Sequence, residues 1–474
     1  MSPARSPLWQ WSATDISAAV QRGEIRCTEV VDSIYDRIDA VNPQVNAIVH
    51  IDRERARSDA QALDAARQAG QPCGPLAGVP VSIKLNVDVA GEATSNGTPL
   101  WSDRIAQTDG EVVANLRRAG AIVIGRTNAP PHSFRWFTEN PLHGRTLNPW
   151  SADITPGGSS GGAGVAVATG MGPIAHGTDI AGSIRYPAYV NGVVGLRATT
   201  GRIPAFQGTA PKRFFGLQSM SAQGVLARRI ADARLALQTM AASGASDPLW
   251  VDARRDYEDD DTPVSVAWID EVPGIGVDPT IRQALRDAAQ TLEAAGYRIE
   301  RATAPDFQRG VEIWRAIVMT DCRLGMVAAV DALGDPSLTT PVHNMLACAG
   351  EVDLAGYIVA IAARDEMQRQ WQALFQRYPL VLMPTSCRLP LQWGADQGTV
   401  EQMRELMAVQ SPLMAVALCG LPGLHVPTGM AGGLPVGVQL VAPAFREMRL
   451  LRAGEILEAA NGGLNESRWM DDVP

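Results

Sequence analysis

Lysine is almost absent from this sequence. Its 41 basic residues are all arginines except Lys84 and Lys212, and against 50 acidic residues they leave a formal net charge of −9. That charge is spread thinly along the chain, whereas binding to phosphates needs clustered Lys and Arg. The sequence therefore argues against a nucleic-acid partner.

Cysteine pairs and long apolar runs are also missing. The six cysteines lie far apart without a Cys-x-x-Cys pair, which disfavours a structural zinc site or a disulfide framework and fits a reducing compartment. Residues 1–10 lack the continuous apolar segment of a signal peptide, and no apolar stretch reaches 18 residues. We therefore expect a cytoplasmic protein with no membrane span, no metal and no cofactor. A homodimer is compatible with the sequence but is not indicated by it.

The residues that are present are typical of a globular α/β protein. With 474 residues, 46% apolar and 19% charged, the chain can form one large domain. From residue 75 onward, Val- and Ile-rich runs such as Val79–Ile83 and Ala121–Ile124 alternate with helical stretches such as Glu111–Ala119. This alternation predicts an α/β fold in which helices cover both faces of a sheet. Further predicted elements are a helix that ends near Gly23, a helix over Val30–Ile38 with its N-cap at Thr28, helices over Arg53–Gln68, from Asp278 to Gly296 and over Glu447–Ala460, a strand over Leu434–Val441, and a mainly helical region over 305–410.

A Gly/Ser block, Thr155–Gly162, is the strongest local feature. Such blocks are typical of flexible linkers, but here Asn148-Pro149-Trp150 precedes the block and a run of small residues follows it, which indicates burial. A phosphate-binding loop is disfavoured because no Lys-Ser or Lys-Thr follows at P-loop spacing. The third interpretation is a serine at a helix start, where glycines allow unusual backbone angles and the hydroxyl has a partly positive environment.

A second block, Gly177–Ala188, contains Ser183 after several small residues. Small residues allow consecutive backbone N–H groups to point into one cavity, as in an oxyanion hole. A serine placed there can attack an acyl carbon, provided that a base removes its proton.

The base is the part that the local sequence does not supply. A Ser-His-Asp triad needs a histidine with a carboxylate partner; His176 is the nearest in sequence, and the other five histidines are in no signature context. Lys84 is the other candidate, because it follows the apolar run Val79–Ile83 and burial lowers the pKa of an amine. Its pKa would have to fall from ~10.4 to about 7, which corresponds to roughly 4 kcal/mol. From the residues alone, an exposed lysine at a strand end remains an alternative.

Taken together, the motifs resemble the amidase-signature family in order and spacing. Lys84 comes first, the Gly-Gly-Ser-Ser-Gly-Gly block second and an Asp-x-x-Gly-Ser-x-Arg block third; 159 − 84 is 75 residues and 183 − 159 is 24. Other matching stretches are Gly125–Asn128, Asn148–Trp150, Gly192–Arg197 and Gly433–Leu440. The resemblance implies an α/β amidase-signature fold with a large mixed sheet, and a single amidase domain over 1–474. Its parts would be an N-terminal helical segment 1–73, a signature core 74–240, a variable substrate-pocket region 241–410 and a C-terminal strand and helix over 411–474.

The resemblance also implies a Ser-Ser-Lys mechanism for amide hydrolysis. Ser183 would attack the carbonyl carbon and become acylated. Ser159, which would follow a cis peptide bond from Gly158, would pass the proton of Ser183 to Lys84. The backbone N–H groups that would hold the oxyanion are those of Ile180, Ala181, Gly182 and Ser183.

Other residues of the two blocks would support this machinery. Ser160 would tune the relay or the helix start, and Asp179 and Arg185 would brace the loop rather than touch the reacting bond. The sequence departs from the family pattern at Leu85-Asn86, where an acidic residue usually follows the lysine, and at Ala181, which replaces a common glycine.

The segment 134–140 is bulkier than the glycine-containing stretch of many members. Phe134, Trp136 and Phe137 indicate a pocket wall for an apolar or aryl-containing amide, although Trp136 and Phe137 would fit a hydrophobic core equally well. In this segment the chain resembles the subgroup of nylon-oligomer cyclic-dimer hydrolases and aryl acylamidases. Cys322 is either a pocket residue or, as we prefer, a buried structural thiol.

Three alternatives to an amidase for small amides remain. The A subunit of a tRNA-dependent amidotransferase usually carries a Tyr-Asp-Gly stretch that is absent here. A non-catalytic binding protein would normally have lost a catalytic residue, and all three are present. A carbamate or ester hydrolase (urethanase-like) with the same triad would also form an acyl-serine.

Overall fold

The computed structural model describes residues 6–210, 212–254 and 263–461. Sixteen α-helices and thirteen strands lie in these ranges. The helices are α1 (Ala13–Arg22), α2 (Cys27–Val45), α3 (Arg53–Gln68), α4 (Glu111–Arg118), α5 (Gly161–Ala168), α6 (Arg185–Asn191), α7 (Phe215–Met220), α8 (Ile230–Met240), α9 (Pro279–Ala294), α10 (Phe307–Arg323), α11 (Met326–Asp331), α12 (Pro336–Ala349), α13 (Leu354–Arg377), α14 (Val400–Val409), α15 (Ser411–Leu418) and α16 (Glu447–Ala460). The strands are β1 (Ile48–His50), β2 (Pro80–Lys84), β3 (Ile122–Thr127), β4 (Glu139–Asn140), β5 (Gly144–Arg145), β6 (Ile174–Asp179), β7 (Val194–Arg197), β8 (Ala222–Ala227), β9 (Ser265–Trp268), β10 (Arg298–Arg301), β11 (Leu380–Pro384), β12 (Gly423–Ala431) and β13 (Leu434–Val441).

Eleven strands form one mixed sheet in the order β1-β3-β2-β6-β8-β7-β12-β13-β11-β9-β10. Near one edge β2 is parallel to both β3 and β6, and at the other edge β9 is parallel to β10 and β11. The strands between β6 and β11 pair antiparallel. The α/β sheet that the sequence predicts is confirmed, and it is mixed, as the resemblance implies. Strand β2 lies beside β6, which leads into the block that contains Ser183.

Helices cover both faces of this sheet, and β12 shows how its side chains are divided between them. Leu424 and Val426 point toward α16, where a Cβ on Gly454 would lie 2.8 Å from Leu424 Cδ2 and 3.5 Å from Val426 Cγ2. His425, which lies between them in the strand, points to the other face and meets the ring of Tyr189 in α6 at 5.6 Å. The alternation follows from the two-residue period of a strand.

Several elements coincide with their predicted bounds, among them α3, β13 and α16. The N-cap at Thr28 is wrong, because α2 already begins at Cys27. Asp64 of α3 accepts hydrogen bonds from the N–H groups of Cys27 at 2.8 Å and Thr28 at 3.2 Å. A carboxylate from another helix therefore satisfies the donors that a local cap would have satisfied.

The region 305–410 is mainly helical, as predicted, but it also contains β11, which the sequence analysis missed. All five residues of β11 are buried in the sheet. Its run Leu380-Val381-Leu382-Met383 has no polar alternation, because both faces of the strand are covered, and such a run cannot be told from a buried helix by periodicity.

The helices of this region also bear on membrane association. Among the described residues, no single helix has both the length and the apolar character needed to cross a bilayer. One bent pair, Pro336–Ala349 with Leu354–Arg377, meets both criteria when taken together, and its two helices are inclined at 85°.

Candidate active site

Lys84 ends β2 and brings together the three motifs that the sequence singles out. Its side chain is fully buried. Nζ donates hydrogen bonds to Ser159 Oγ at 2.7 Å and to Thr178 Oγ1 at 2.9 Å. Ser159 belongs to the Gly/Ser block and Thr178 to β6, so the contacts join segments 75 and 94 positions away in the chain.

The electrostatic surroundings of Lys84 favour its neutral form. Burial lowers its pKa from 10.5 to about 7, and the charge of Asp179 offsets only part of that effect. Among the described residues, no carboxylate forms a salt bridge with Lys84, and its two hydrogen-bond partners are hydroxyl groups. A substantial fraction of the amine is therefore unprotonated at neutral pH, which is the condition for accepting a proton.

Ser159 and Ser160 lie immediately before α5. The Gly158–Ser159 peptide bond is cis, as the resemblance implies. A Cβ at Gly158 would lie 2.4 Å from Arg135 O and 2.6 Å from Phe137 N, so only glycine fits at this position. The Ser160 N–H donates to Ser183 O at 3.2 Å, and its hydroxyl donates to Thr178 O at 3.4 Å. Ser160 therefore links the Gly/Ser block to the loop that carries Ser183.

Ser183 lies in the loop between β6 and α6, and Asp179 braces that loop from inside. The Asp179 carboxylate accepts from Gly182 N at 2.8 Å and from Ile184 N at 3.2 Å. Gly182 has a φ of +99°, and a Cβ there would lie 2.6 Å from Leu413 Cδ1. The small residue before Ser183 is thus required by both backbone conformation and close packing.

Two arginines hold the carboxylate of Asp179. Arg185 donates to it through two nitrogens, each at 3.0 Å, and Arg197 approaches to 3.4 Å. All three side chains are buried. Burial alone would raise the pKa of Asp179. The charges of Arg185 and Arg197 lower it by more than that, so that the net pKa is well below its usual range. Through these contacts Asp179 and Arg185 hold the loop that carries Ser183.

The four predicted oxyanion N–H groups are not equivalent. The prediction of Gly182 as an oxyanion donor is wrong for this conformation, because its N–H donates to Asp179 Oδ1. Among the described residues, no acceptor is present for the N–H groups of Ile180, Ala181 and Ser183. Two indole N–H groups fix the neighbouring carbonyls: Trp136 donates to Ala181 O and Trp314 to Ile180 O, each at 2.9 Å.

Ser159, Thr178 and Ser183 border a cavity of about 520 Å³. Five aromatic side chains also border it, namely Trp101, Phe134, Trp136, Phe214 and Trp314. Its aromatic wall would suit an apolar or aryl-containing group. A larger hollow of about 770 Å³ between α10 and α13 contains none of the predicted residues.

The predicted pocket residues have different outcomes. Phe134, Trp136 and Cys322 line the cavity, whereas Phe137 does not. Phe137 is fully buried behind the wall, with its ring 5.8 Å from that of Trp393. Its assignment to the pocket is wrong because adjacent residues of this irregular segment point in different directions. Cys322 is also nearly buried, and burial raises the pKa of its thiol to about 12, so that it stays protonated.

The histidines do not reach the serines. His176 Nε2 is 2.6 Å from Gln223 Oε1, and burial lowers its pKa to about 4. His132 borders the cavity and packs edge-on against Trp101 at 4.5 Å. In the described part of the chain, no group of three His, Cys, Asp or Glu residues is arranged to hold a metal ion.

The sequence analysis missed Thr178 and the cavity residues of α10 other than Cys322. Trp314, Val318 and Cys322 all face the cavity at the four-residue spacing of one helix face. The apolar period of the region 305–410 is uneven, and a period identifies a buried face and not the surface against which it packs.

Comparisons with known proteins identify the family of the chain. Residues 29–451 match the family described as Amidase, and the chain therefore belongs to the amidase family and is an amidase. It is 43% identical over 468 residues to an indoleacetamide hydrolase of Bradyrhizobium diazoefficiens (strain USDA 110), covering 98% of this chain and 89% of the relative. It is 34% identical to an acylamidase of Rhodococcus erythropolis, covering 98% and 97%. The solved structure of 6-aminohexanoate cyclic dimer hydrolase with its substrate superposes with a TM-score of 0.81 at 26% identity, covering 96% of this chain and 97% of that one.

Proposed function

We propose that Ser183 is the nucleophile, Ser159 the proton relay and Lys84 the general base of this amidase. The observation that carries the proposal is the 2.7 Å contact between Lys84 Nζ and Ser159 Oγ in a fully buried setting. Burial lowers the pKa of Lys84 to about 7, which leaves a base that can work near neutral pH.

The proposed steps balance without a cofactor. The Ser183 hydroxyl oxygen bonds to the amide carbon while its proton passes to Ser159 Oγ, and the proton of Ser159 passes to Lys84 Nζ. The carbonyl oxygen becomes an oxyanion, for which the N–H groups of Ile180, Ala181 and Ser183 are candidate donors. Reversal of the relay protonates the leaving nitrogen as its bond to carbon breaks. Water then cleaves the acyl-serine by the same route.

We further propose that the substrate is a small amide with an apolar or aryl group, and that indoleacetamide is the first to test. The relative of 43% identity is named for that activity. The aromatic cavity wall favours a planar ring, and its volume of about 520 Å³ falls within the ~300–1,000 Å³ typical of small-molecule sites.

Ser183→Ala and Ser159→Ala test the machinery on indoleacetamide. We expect kcat/KM to fall by ~10⁴-fold or more for Ser183→Ala, because the nucleophile is lost. Ser219→Ala is the matched control. The Ser219 hydroxyl donates to Phe215 O at 2.7 Å and takes no part in the relay. Substantial turnover by Ser183→Ala would contradict the assignment of the nucleophile.

A panel of matched substrates tests the chemistry of the scissile bond. An ester and a carbamate with the same indole group are included because an amide, an ester and a carbamate would each acylate the serine. The comparison of their kcat/KM values distinguishes an amidase from a urethanase-like hydrolase. Glutamine in the same panel tests the amidotransferase alternative. We expect the aryl amide to have a higher kcat/KM than the carbamate and glutamine. Faster hydrolysis of either of these two would contradict the proposed substrate class.

A further inference from the structure

Two indole N–H groups hold two consecutive carbonyls of the loop before Ser183. Trp314, from α10, donates to Ile180 O, and Trp136 donates to the next carbonyl, Ala181 O, both at 2.9 Å. Both side chains are almost completely buried, at 4% and 5% exposure. Two consecutive peptide units therefore have their carbonyl ends tied to tryptophans from distant parts of the chain.

Peptide planarity relates each carbonyl to the N–H of the following residue. The carbonyl and the N–H of a trans peptide point in opposite directions, so that a tied carbonyl also sets the direction of the next N–H. The Ala181–Gly182 peptide is tied at both ends, because its N–H also donates to Asp179 Oδ1 at 2.8 Å. In the described residues, the Ile180–Ala181 peptide is tied only through Trp314.

We propose that Trp314 is a positioning residue whose indole N–H aims the Ala181 N–H at the developing oxyanion. The proposal rests on the proposed function, in which the loop after β6 stabilises that charge. Ala181 N–H has no acceptor within the described chain, and it belongs to a residue that borders the cavity beside Ser183.

The surroundings of Trp314 support a fixed indole. Its helix, α10, packs against α13 and α15, and Leu413 of α15 lies against Gly182 of the same loop. Leucine or phenylalanine would fill much of the same space but would offer no donor to Ile180 O. A carbonyl left without that donor frees the peptide plane to rotate, and misplaced donors lower the rate of the chemical step.

The test compares Trp314→Phe with Trp136→Phe on indoleacetamide. Both variants remove an indole N–H from the cavity wall, but only in Trp136→Phe does the affected peptide keep a second tie. We expect kcat to fall by ~10- to 100-fold in Trp314→Phe, and by a factor at least about threefold smaller in Trp136→Phe. KM should change by less than about threefold in Trp314→Phe, because an aromatic ring remains. Equal kcat losses in the two variants, or an effect of Trp314→Phe confined to KM, would overturn the proposal.

Two further comparisons guard against trivial results. Trp371→Phe controls for loss of a buried indole, because Trp371 is fully buried and its N–H has no acceptor in the described chain; its kcat should match that of the parent. If Trp314→Phe does not fold, Trp314→Gln and Trp314→Leu replace it, since only Gln keeps an N–H donor. We then expect Gln to retain at least about fivefold more kcat than Leu, and equal values would overturn the proposal.

The failure of this inference can be told from failure of the proposed function. An active Ser183→Ala would reject the nucleophile and with it the basis of the inference. An inactive Ser183→Ala together with a parent-like kcat in Trp314→Phe would reject the positioning role alone.

Discussion

The pH dependence of turnover tests the neutral form of Lys84 directly. Removal from water lowers the pKa of this amine from 10.5 to about 7, and no carboxylate of the described chain pairs with it to reverse that effect. If the neutral amine is the base, kcat/KM should follow its neutral fraction. We expect about half of the plateau value at pH 7, about a tenth at pH 6 and about nine-tenths at pH 8.

Indoleacetamide is incubated with the enzyme from pH 5 to pH 10, and the acid product is measured by chromatography. Samples held at each pH are re-assayed at pH 8, so that loss of folded protein is separated from titration. A profile that is flat from pH 5 to 9, or that rises tenfold per pH unit up to pH 10, would refute the reasoning.

Two substitutions assign the inflection to the amine. Thr178 Oγ1 accepts from Lys84 Nζ at 2.9 Å, and an acceptor of this kind stabilises the charged amine. Thr178→Val should therefore move the inflection below the parent value. His132→Asn is the matched control, because burial lowers the pKa of His132 to about 4. Its inflection should stay near pH 7, and a shift in this variant instead would reassign the titrating group.

Two predictions concern stability. Because the pKa of Lys84 is lower in the folded than in the unfolded chain, the unfolded chain holds the extra proton between pH 7 and 10.5, and stability rises with pH over that window. Lys84→Met should therefore raise the Tm at pH 7 by about 2 °C or more, with a smaller gain at pH 10; a lower Tm at pH 7 in thermal scans would contradict this. Asp179→Asn leaves Arg185 and Arg197 buried without a full counter-charge and should cost about 3–5 kcal/mol in urea unfolding. Asp365→Asn, in an exposed pair with Arg369, is its control, and equal losses in the two variants would count against the argument.

Much of the candidate site could be predicted from the sequence, because its residues lie in short motifs. Lys84 ends an apolar run, Ser159 lies in the Gly/Ser block and Asp179 in the block that contains Ser183, and the structure places Lys84 Nζ 2.7 Å from Ser159 Oγ. The Gly182 N–H is the exception. Its hydrogen bond to Asp179 depends on the direction of a single peptide plane, which residue types do not determine.

Long-range packing was harder to predict than local structure. The helices α3 and α16 match their predicted bounds. The strand β11 is apolar throughout and was hidden in a helical region. Trp314 contacts a residue 134 positions earlier in the chain, and one sequence contains no signal for that pairing. Phe137 failed for the related reason that an irregular segment has no period from which to read direction.

The scarcity of lysine has a practical consequence for labelling. The chain has two side-chain amines, and the structure separates them completely: Lys84 is fully buried, whereas Lys212 is exposed and borders the cavity. Acylating reagents that attack amines reach exposed groups in their unprotonated form, so that Lys212 is the side chain they would modify. A fluorophore or a solid support attached through this amine would therefore sit beside the cavity that Ser159 and Ser183 border, where occupancy of the cavity should alter its signal or be blocked by it.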